Sequence, residues 1–220
     1  MNRLIKETDW FLSEWQAGFR SKRDCRDNVL ILRVIYDNII KNNTNCVVTY
    51  IDFAAAFDSV RHTYLDKALQ KTKASRKTIA IFRAVYAAAQ GAIRVVGDDG
   101  KFTHSQTFDV NRGVVQGDIV IPVFFILALD QLVQTFDNKG DGVTVGHINN
   151  IKVKVLGYAD DAAMFANTVE EMTERLTTFA NAALEKAHMQ VRMDKNYIHS
   201  HRATAAKNWE NHRLGNKEES

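Results

Sequence analysis

Apolar residues along this chain fall into helical and strand-like stretches. Between residues 24 and 43 they follow helical spacing, and CVVTYIDFA, starting at Cys46, is rich in β-branched and aromatic residues, which predicts a buried strand. Further helical patterns cover residues 63–70, 76–90, 118–136 and 169–187. The apolar positions of the first helix are Val29, Leu30, Leu32, Ile35, Tyr36 and Ile39.

Turn residues between these stretches predict three hairpins. AIRVVGDDGKFTHSQTFDV has Asp99-Gly100 at its centre, and segments 142–145 and 148–156 form a second apolar pair. Residues 158–166 form part of the third, around the sequence YADD. In the long helix from residue 118, Asp118 is placed to cap and Pro122 lies near the first turn. Hairpins interspersed with helices predict an α+β fold in which an antiparallel sheet packs on helices.

No internal repeat, low-complexity tract or linker interrupts residues 1–198, which predicts a single globular unit. Beyond residue 198 the sequence loses its periodicity and becomes polar, so we expect residues 199–220 to form a basic tail, disordered or cut short. The longest apolar run, 119–129, is too short to cross a bilayer. With no cationic leader in the sequence, we expect a protein inside the cell, nuclear or cytoplasmic, and not secreted.

The distribution of charge along the chain bears on the kind of partner it binds. The net charge is +3, and residues 186–220 hold seven Lys and Arg against four Asp and Glu. A second basic cluster, RSKRDCR, spans residues 20–26. Basic ends around a near-neutral body suit a phosphate backbone, and solvated surface charge is the alternative. Cys25 and Cys46 form no CxxC pair, which argues against a zinc site or a disulfide framework.

Acidic residues stand at the ends of two apolar segments. Asp52 ends the run VVTYID, and Asp160 and Asp161 lie at the tip of GYADDAAMFA. If the two segments are neighbours in one sheet, the carboxylates meet at one edge, where a divalent metal relieves their repulsion. Hard oxygen ligands suit Mg²⁺ or Mn²⁺ and indicate phosphoryl transfer. A turn or capping role for each Asp is the alternative.

Five motifs occur in a fixed order: QAGFR, YIDFAAAFDSV, RGVVQGD, YADD and ALEKAHMQVRMDK. In this order they resemble the reverse transcriptases of non-LTR retrotransposons over residues 15–197. The resemblance implies the palm of a right-hand polymerase, residues 46–198, preceded by partial fingers, residues 1–45, and without a thumb. Two positions depart from the family pattern: Ile121 replaces an expected serine, and Asp24 stands where a small hydroxyl residue is common.

The resemblance also implies roles for the acidic and aromatic residues. Asp52 and Asp160 would ligate the catalytic metals, Asp161 would support them, and the carbonyl of Phe53 is a further candidate ligand. Phe57 matches the aromatic steric gate, which would lie under the sugar of the incoming nucleotide and select a dNTP. A plain core position is the alternative for Phe57.

Other implied contacts concern the nucleotide. Gln116 and Gly117 would contact the incoming nucleotide, since glycine allows close backbone approach. Arg20 and Arg23 would hold triphosphate or template phosphate, to which guanidinium is suited. Lys195 is a candidate general acid for the pyrophosphate leaving group, with a surface lysine as the alternative.

Together these residues imply an RNA-directed DNA polymerase that uses two Mg²⁺ or Mn²⁺ ions. Its partners would be an RNA template, a DNA primer and dNTPs, and not a membrane. The first alternative is an inactive or domesticated palm fragment that binds nucleic acid or a protein. Another metal-dependent phosphotransferase, such as a nucleotide cyclase, would leave the RGVVQGD motif without a role.

Overall fold

Helices and short antiparallel strands alternate along the chain. The computed structural model describes residues 6–72, 74–87, 89–98, 100–114, 121–135, 142–145, 151–193, 197–201 and 210–213. The helices are α1 (Cys25–Asn42), α2 (Ala56–Ser59), α3 (His62–Lys71), α4 (Arg76–Tyr86), α5 (Ile121–Gln134) and α6 (Val169–Ala182). The strands are β1 (Cys46–Ile51), β2 (Phe53–Ala54), β3 (Gln90–Gly91), β4 (Arg94–Val96), β5 (Phe102–His104), β6 (Phe108–Asp109), β7 (Val143–Val145), β8 (Ile151–Val153), β9 (Val155–Tyr158), β10 (Asp161–Ala166), β11 (Gln190–Val191), β12 (Tyr197–His201) and β13 (Glu210–Arg213).

A five-stranded antiparallel sheet forms the centre, in the order β13-β12-β1-β10-β9. Successive side chains of a strand point to opposite faces, so β1 contributes to two cores. Val47 and Ile51 pack with α3, α5 and α6, whereas Cys46 and Val48 pack against α1. Because both faces are covered, the strand reads as a continuous apolar run. The α+β fold class is confirmed.

Helix α1 begins and ends as its sequence suggests. The Asp24 side chain accepts a hydrogen bond from the backbone of Arg26 and forms a capping box with Asp27. The predicted apolar stripe covers the sheet only in part: Ile35 and Ile39 are buried, but Val29, Leu30 and Tyr36 stay exposed. The apolar contacts with the sheet come from one face of α1, formed by Ile31, Leu32, Ile35 and Ile39.

The other helices pack on the opposite face of the sheet. Helix α5 is the most deeply buried, with Phe125, Ile126 and Ala128 fully shielded from solvent. The start predicted for this helix, with Asp118 as its cap, lies outside the described residues. Helix α6 begins at Val169 as predicted and passes into a π-helical turn, Ala183–Ala187. Within the described ranges, no helix combines the length and apolarity needed to span a bilayer.

The predicted hairpins are present. Strands β4 and β5 pair with each other, as do β3 and β6, and β7 pairs with β8. Gly100 has a φ of 74° at the first turn, which favours glycine. The third hairpin, β9–β10, carries the YADD sequence and joins the central sheet.

Regular structure continues beyond residue 198, where the sequence analysis expects a polar tail. Strand β12 pairs with β1, and β13 pairs with β12. Ser200 and His201 are buried. Residues 199–201 and 210–213 therefore lie in strands, and a tail over residues 199–220, disordered or cut short, stays a prediction. These strands join the sheet through backbone hydrogen bonds, which polar residues form as readily as apolar ones, so their composition gives no clear strand signal.

Candidate active site

Asp52 lies where the main chain changes partners. Strand β1 pairs with β10 as far as Ile51, and the next two residues, β2, pair with β11. Asp52 therefore stands between two sheets, where its backbone carbonyl accepts a hydrogen bond from the Arg192 amide at 2.8 Å. Its side chain is 51% exposed and faces solvent rather than the core.

The YADD turn connects β9 and β10. Tyr158 pairs with Asp161, which leaves Ala159 and Asp160 as the two turn residues. Ala159 has a φ of 57°, in the left-handed region that alanine rarely adopts. The neighbouring structure must therefore hold this turn in place.

The sheet register brings the acidic residues together. Ile51 is paired with Ala162, so Asp52, one residue further along β1, lies beside Asp161, one residue earlier on β10. The pKa of Asp160 is raised by burial and by the negative charges of Asp161 and Asp52. Hence the three carboxylates share one edge of the sheet and repel one another electrostatically.

The carboxylates are close without converging on a single point. In the described part of the chain, no group of three or more His, Cys, Asp or Glu side chains is arranged as a ready metal site. The donor chemistry nevertheless fits hard divalent cations, because all the available oxygens are carboxylate or carbonyl. A cation would also favour the ionised form of Asp160, whose pKa is raised by burial and by the charges of Asp161 and Asp52.

Arg192 is a neighbour that the sequence analysis did not identify. One guanidinium nitrogen lies 3.6 Å from Oδ2 of Asp52, and the arginine side chain is 39% exposed. In the sequence, only its position within the motif ALEKAHMQVRMDK points to Arg192. In the structure it directly follows β11. This cation partly balances the charge of Asp52.

An open groove of about 240 Å³ borders the turn and includes Asp161 in its lining. Two tyrosines also line it, Tyr50 at 54% exposure and Tyr158 at 39%. The exposed aromatic rings offer faces on which flat bases can stack.

Arg20 takes a structural position. Its side chain is 7% exposed, and Nε donates to Asp9 Oδ1 at 2.8 Å. The two terminal nitrogens donate to the backbone carbonyls of Asp9, Ser13 and Gln16. Its predicted contact with phosphate stays a prediction, and the structure gives the guanidinium another role, holding the loop 9–20. Arg23 is more exposed and forms an ion pair with Glu14.

Two aromatic residues follow Asp52. The Phe57 ring is half-buried and stacks on Phe125, with centroids 4.3 Å apart. This contact agrees with the core alternative, and the steric-gate role stays a prediction. The Phe53 ring is buried against Phe179, and the predicted role of its carbonyl as a ligand is likewise untested.

Gln116, Gly117 and Lys195 lie outside the described residues. The segment that leads to Gln116 is nevertheless anchored near Phe57, because the Val114 amide donates to the Phe57 carbonyl at 2.8 Å. Gly113 has a φ of 80°, and a Cβ there would come within 2.7 Å of the Asp58 carbonyl oxygen. Only glycine fits this approach.

Gln16 belongs to the quoted motif QAGFR but received no role in the sequence analysis. It is fully buried, and its side-chain amide bonds to the backbone of Ala159 in the YADD turn. Trp15, just before it, packs against Gly157 of β9. The only sequence signal was the motif itself, because no periodicity links residues so far apart.

Comparison with known proteins agrees with this geometry. The sequence profile of the family described as Reverse transcriptase (RNA-dependent DNA polymerase) matches residues 1–215. The Pol polyprotein of the type-2 retrotransposable element R2DM of Drosophila melanogaster is 29% identical over 166 residues, 76% of this chain and 15% of that protein. The Pol polyprotein of the type-1 retrotransposable element R2 of Popillia japonica is 28% identical over 160 residues, 70% of this chain and 22% of that protein.

Solved structures with a similar fold include telomerases. The apo telomerase of Candida tropicalis, truncated from its C-terminal domain, matches with a TM-score of 0.61 at 12% identity. The match covers 94% of this chain and 39% of the telomerase chain. The Candida tropicalis telomerase in complex with a TWJ fragment of telomeric RNA matches with a TM-score of 0.62 at 13% identity. This match covers 93% of this chain and 34% of the telomerase chain. At this identity the likeness shows the fold alone.

The chain spans 15% and 22% of the two relatives it matches in sequence. The family profile, in contrast, covers all but the last few residues of this chain. This chain therefore belongs to the reverse transcriptase (RNA-dependent DNA polymerase) family, of the non-LTR retrotransposon type.

Proposed function

We propose that this chain is the palm, with part of the fingers, of an RNA-directed DNA polymerase that transfers the nucleotidyl group of a dNTP to a primer 3′-OH and releases pyrophosphate. Residues 1–45 are the fingers part and residues 46–198 the palm. The observation that carries the proposal is the register of β1 and β10, which sets Asp52 beside Asp161 and next to the Asp160 turn. Membership of the reverse transcriptase family supports the same reaction.

Two divalent ions, Mg²⁺ or Mn²⁺, belong to this proposal. Asp52, Asp160, Asp161 and the carbonyl of Phe53 are the groups that would hold them. When bound, such ions stabilise the negative charge on the attacking and leaving oxygens of an in-line phosphoryl transfer. Burial, together with the charges of Asp161 and Asp52, raises the pKa of Asp160, and a carboxylate in such a position gains from a nearby cation, which supports the assignment.

The chain's own residues would position the substrates. Phe57 would exclude a ribose 2′-OH, Gln116 and Gly117 would contact the nucleotide, and Arg23 would bind phosphate. Tyr50 and Tyr158 would offer aromatic faces to the primer–template in the groove beside Asp161. The RNA template and DNA primer are the proposed partners.

Templated primer extension tests the function. The chain is incubated with an RNA template, a DNA primer, dNTPs and Mg²⁺, and Asp160→Asn serves as the paired variant. We expect extension that requires the template and falls by about a hundredfold or more in Asp160→Asn, because a group that stabilises the transition state is lost.

Salt-sensitive RNA binding with no extension would contradict polymerase activity and favour a nucleic-acid-binding palm. Nucleotide turnover without a template would favour a different phosphotransferase. Equal extension by the wild type and Asp160→Asn would remove Asp160 from the proposed catalytic set.

A further inference from the structure

We infer that Gln16 is a positioning residue whose side-chain amide holds the turn that carries Asp160 and Asp161. This inference rests on the proposed function, because the turn matters for catalysis only if its carboxylates act. The hydrogen bonds of the Gln16 side chain go to the backbone of Ala159 and Gly18, and to none of the acidic side chains among the described residues. Its effect would pass through the backbone of Ala159.

Both polar groups of one peptide residue bond to this amide. Nε2 of Gln16 donates to the Ala159 carbonyl at 3.1 Å, and Oε1 accepts from the Ala159 amide at 3.0 Å. Oε1 also accepts from the Gly18 amide at 2.8 Å. The Gln16 side chain is fully buried, so water does not compete for these bonds.

The turn needs such an external support. Ala159 lies between the paired residues Tyr158 and Asp161, so the strand ladder leaves its N–H and C=O without partners. Its φ of 57° is unfavourable for an alanine. A side-chain amide that bonds both groups satisfies them and fixes the peptide orientation from which Asp160 projects.

The segment around Gln16 is pressed against the same hairpin. The Ala17 amide donates to the Gly157 carbonyl, and the Gly157 amide donates to the Trp15 carbonyl, each at 2.8 Å. A Cβ on Gly18 would lie 2.3 Å from the Ala159 nitrogen, and one on Gly157 would lie 2.2 Å from the Trp15 ring. The two backbones are therefore in direct contact, with no room to slide.

The far side of this segment is tied to helix α5. Oδ1 of Asp130 accepts from Trp15 Nε1 at 2.8 Å and from the Ser13 amide at 3.2 Å. Oδ2 of Asp130 accepts from Gln134 Nε2 at 2.7 Å. The segment that carries Gln16 is thus anchored on helix α5 through Ser13 and Trp15, which makes it a rigid support for the turn.

Two substitutions of Gln16 and one matched control test the inference. Gln16→Met keeps the side-chain length and removes all three hydrogen bonds, whereas Gln16→Asn keeps the amide but withdraws it by one methylene. Gln131→Met is the control, because Gln131 is also a buried glutamine but its amide bonds to Gln134 on its own helix. All variants are compared as the full chain.

Three measurements are made on each variant. Hydrogen exchange of the Ala159 amide should be at least about tenfold faster in both Gln16 variants, because its acceptor is removed or displaced. Mn²⁺ binding by the metal-free chain should weaken by about fivefold or more, since the carboxylates lose their fixed orientation. The single-turnover extension rate should fall by about tenfold to a hundredfold, with the dNTP dissociation constant within about threefold of wild type. Gln131→Met should stay within about twofold of wild type in each measurement.

Wild-type exchange at Ala159 and wild-type Mn²⁺ binding in a folded Gln16 variant would overturn the inference. A loss of rate that Gln131→Met shares would also overturn it, because the effect would then be one of general packing. If Gln16→Met does not fold, the same outcomes are read from Gln16→Asn. If the wild type extends no primer, the proposed function fails, while the exchange and Mn²⁺ measurements still decide whether Gln16 holds the turn.

Discussion

At the residue scale, Arg192 partly balances the negative charge of Asp52. Arg192 contributes its backbone amide to the Asp52 carbonyl and its guanidinium to the Asp52 carboxylate. Both side chains are partly exposed, so the ion pair adds little to stability. Its main effect is electrostatic, because a fixed positive charge at 3.6 Å opposes the binding of any further cation.

Arg192→Gln should therefore strengthen divalent-cation binding. We expect Mn²⁺ to bind roughly two- to fivefold more tightly, the size of a partly exposed charge interaction. The melting temperature should change little. Titration of the metal-free chain with Mn²⁺, monitored by electron paramagnetic resonance, measures the affinity. Arg192→Lys keeps the charge and serves as the control, and weaker Mn²⁺ binding by Arg192→Gln would refute the electrostatic effect.

The acidic residues were predictable from the sequence, but their supports were not. Asp52 and Asp160 stand out because each interrupts an apolar run at a strand end. The contact of Gln16 with Ala159 joins segments about 140 residues apart. The burial of Arg20 depends on the fold of the loop that contains Asp9. No sequence spacing predicts such contacts. The sequence therefore suggests phosphate binding for Arg20 only because guanidinium is suited to phosphate.

At the element scale, local signals determined the helices well. The start of α6 at Val169 follows from Thr168, whose hydroxyl accepts a hydrogen bond from the Glu171 amide at 3.1 Å. The Glu171 side chain accepts in turn from the Asn167 amide. The buried residues Met172, Leu176 and Phe179 then follow helical spacing. Capping and periodicity are both local, which is why they could be predicted.

Thr168→Ala should destabilise the protein through this cap. We expect the free energy of unfolding to fall by about 1 kcal/mol, because the first turn of α6 loses a hydrogen-bond acceptor. Urea unfolding monitored by circular dichroism measures the change. Thr168→Ser keeps the hydroxyl and should lie near wild type. Equal stability of Thr168→Ala and wild type would show that the cap contributes nothing.

At the scale of the whole molecule, contacts between distant segments assemble the site. Strand β12 completes the sheet on one side of β1, and β10 supplies the acidic turn on the other. The segment 13–18 connects that turn to α5 through Asp130. The fold class followed from the order of the elements, but strand order and these connections depend on long-range packing. Polar β12 is the clearest case, since its sequence lacks an apolar pattern.

Asp130 is buried and joins helix α5 to the segment 13–15. Burial raises the pKa of this carboxyl, although hydrogen bonds from Ser13, Trp15 and Gln134 oppose the shift. Burial, and second the charge of Asp130, also raise the pKa of the Tyr64 hydroxyl, which donates to the Ala128 carbonyl and stays neutral. A raised folded-state pKa means that the stability contribution of Asp130 is full below the ordinary value of 3.8 and is lost as pH rises through the folded value.

Asp130→Asn should thus gain stability relative to wild type as pH increases. The difference in unfolding free energy should grow by up to about 1.4 kcal/mol per pH unit between the unfolded and folded pKa, then level off. Thermal unfolding of both proteins from about pH 4 to about pH 7 measures it. Gln131→Met, the next residue on α5, carries no titratable group, so its difference from wild type should stay constant. A constant difference for Asp130→Asn as well would mean that the buried carboxyl titrates alike in the folded and unfolded chains, and that its three donors fully offset its burial.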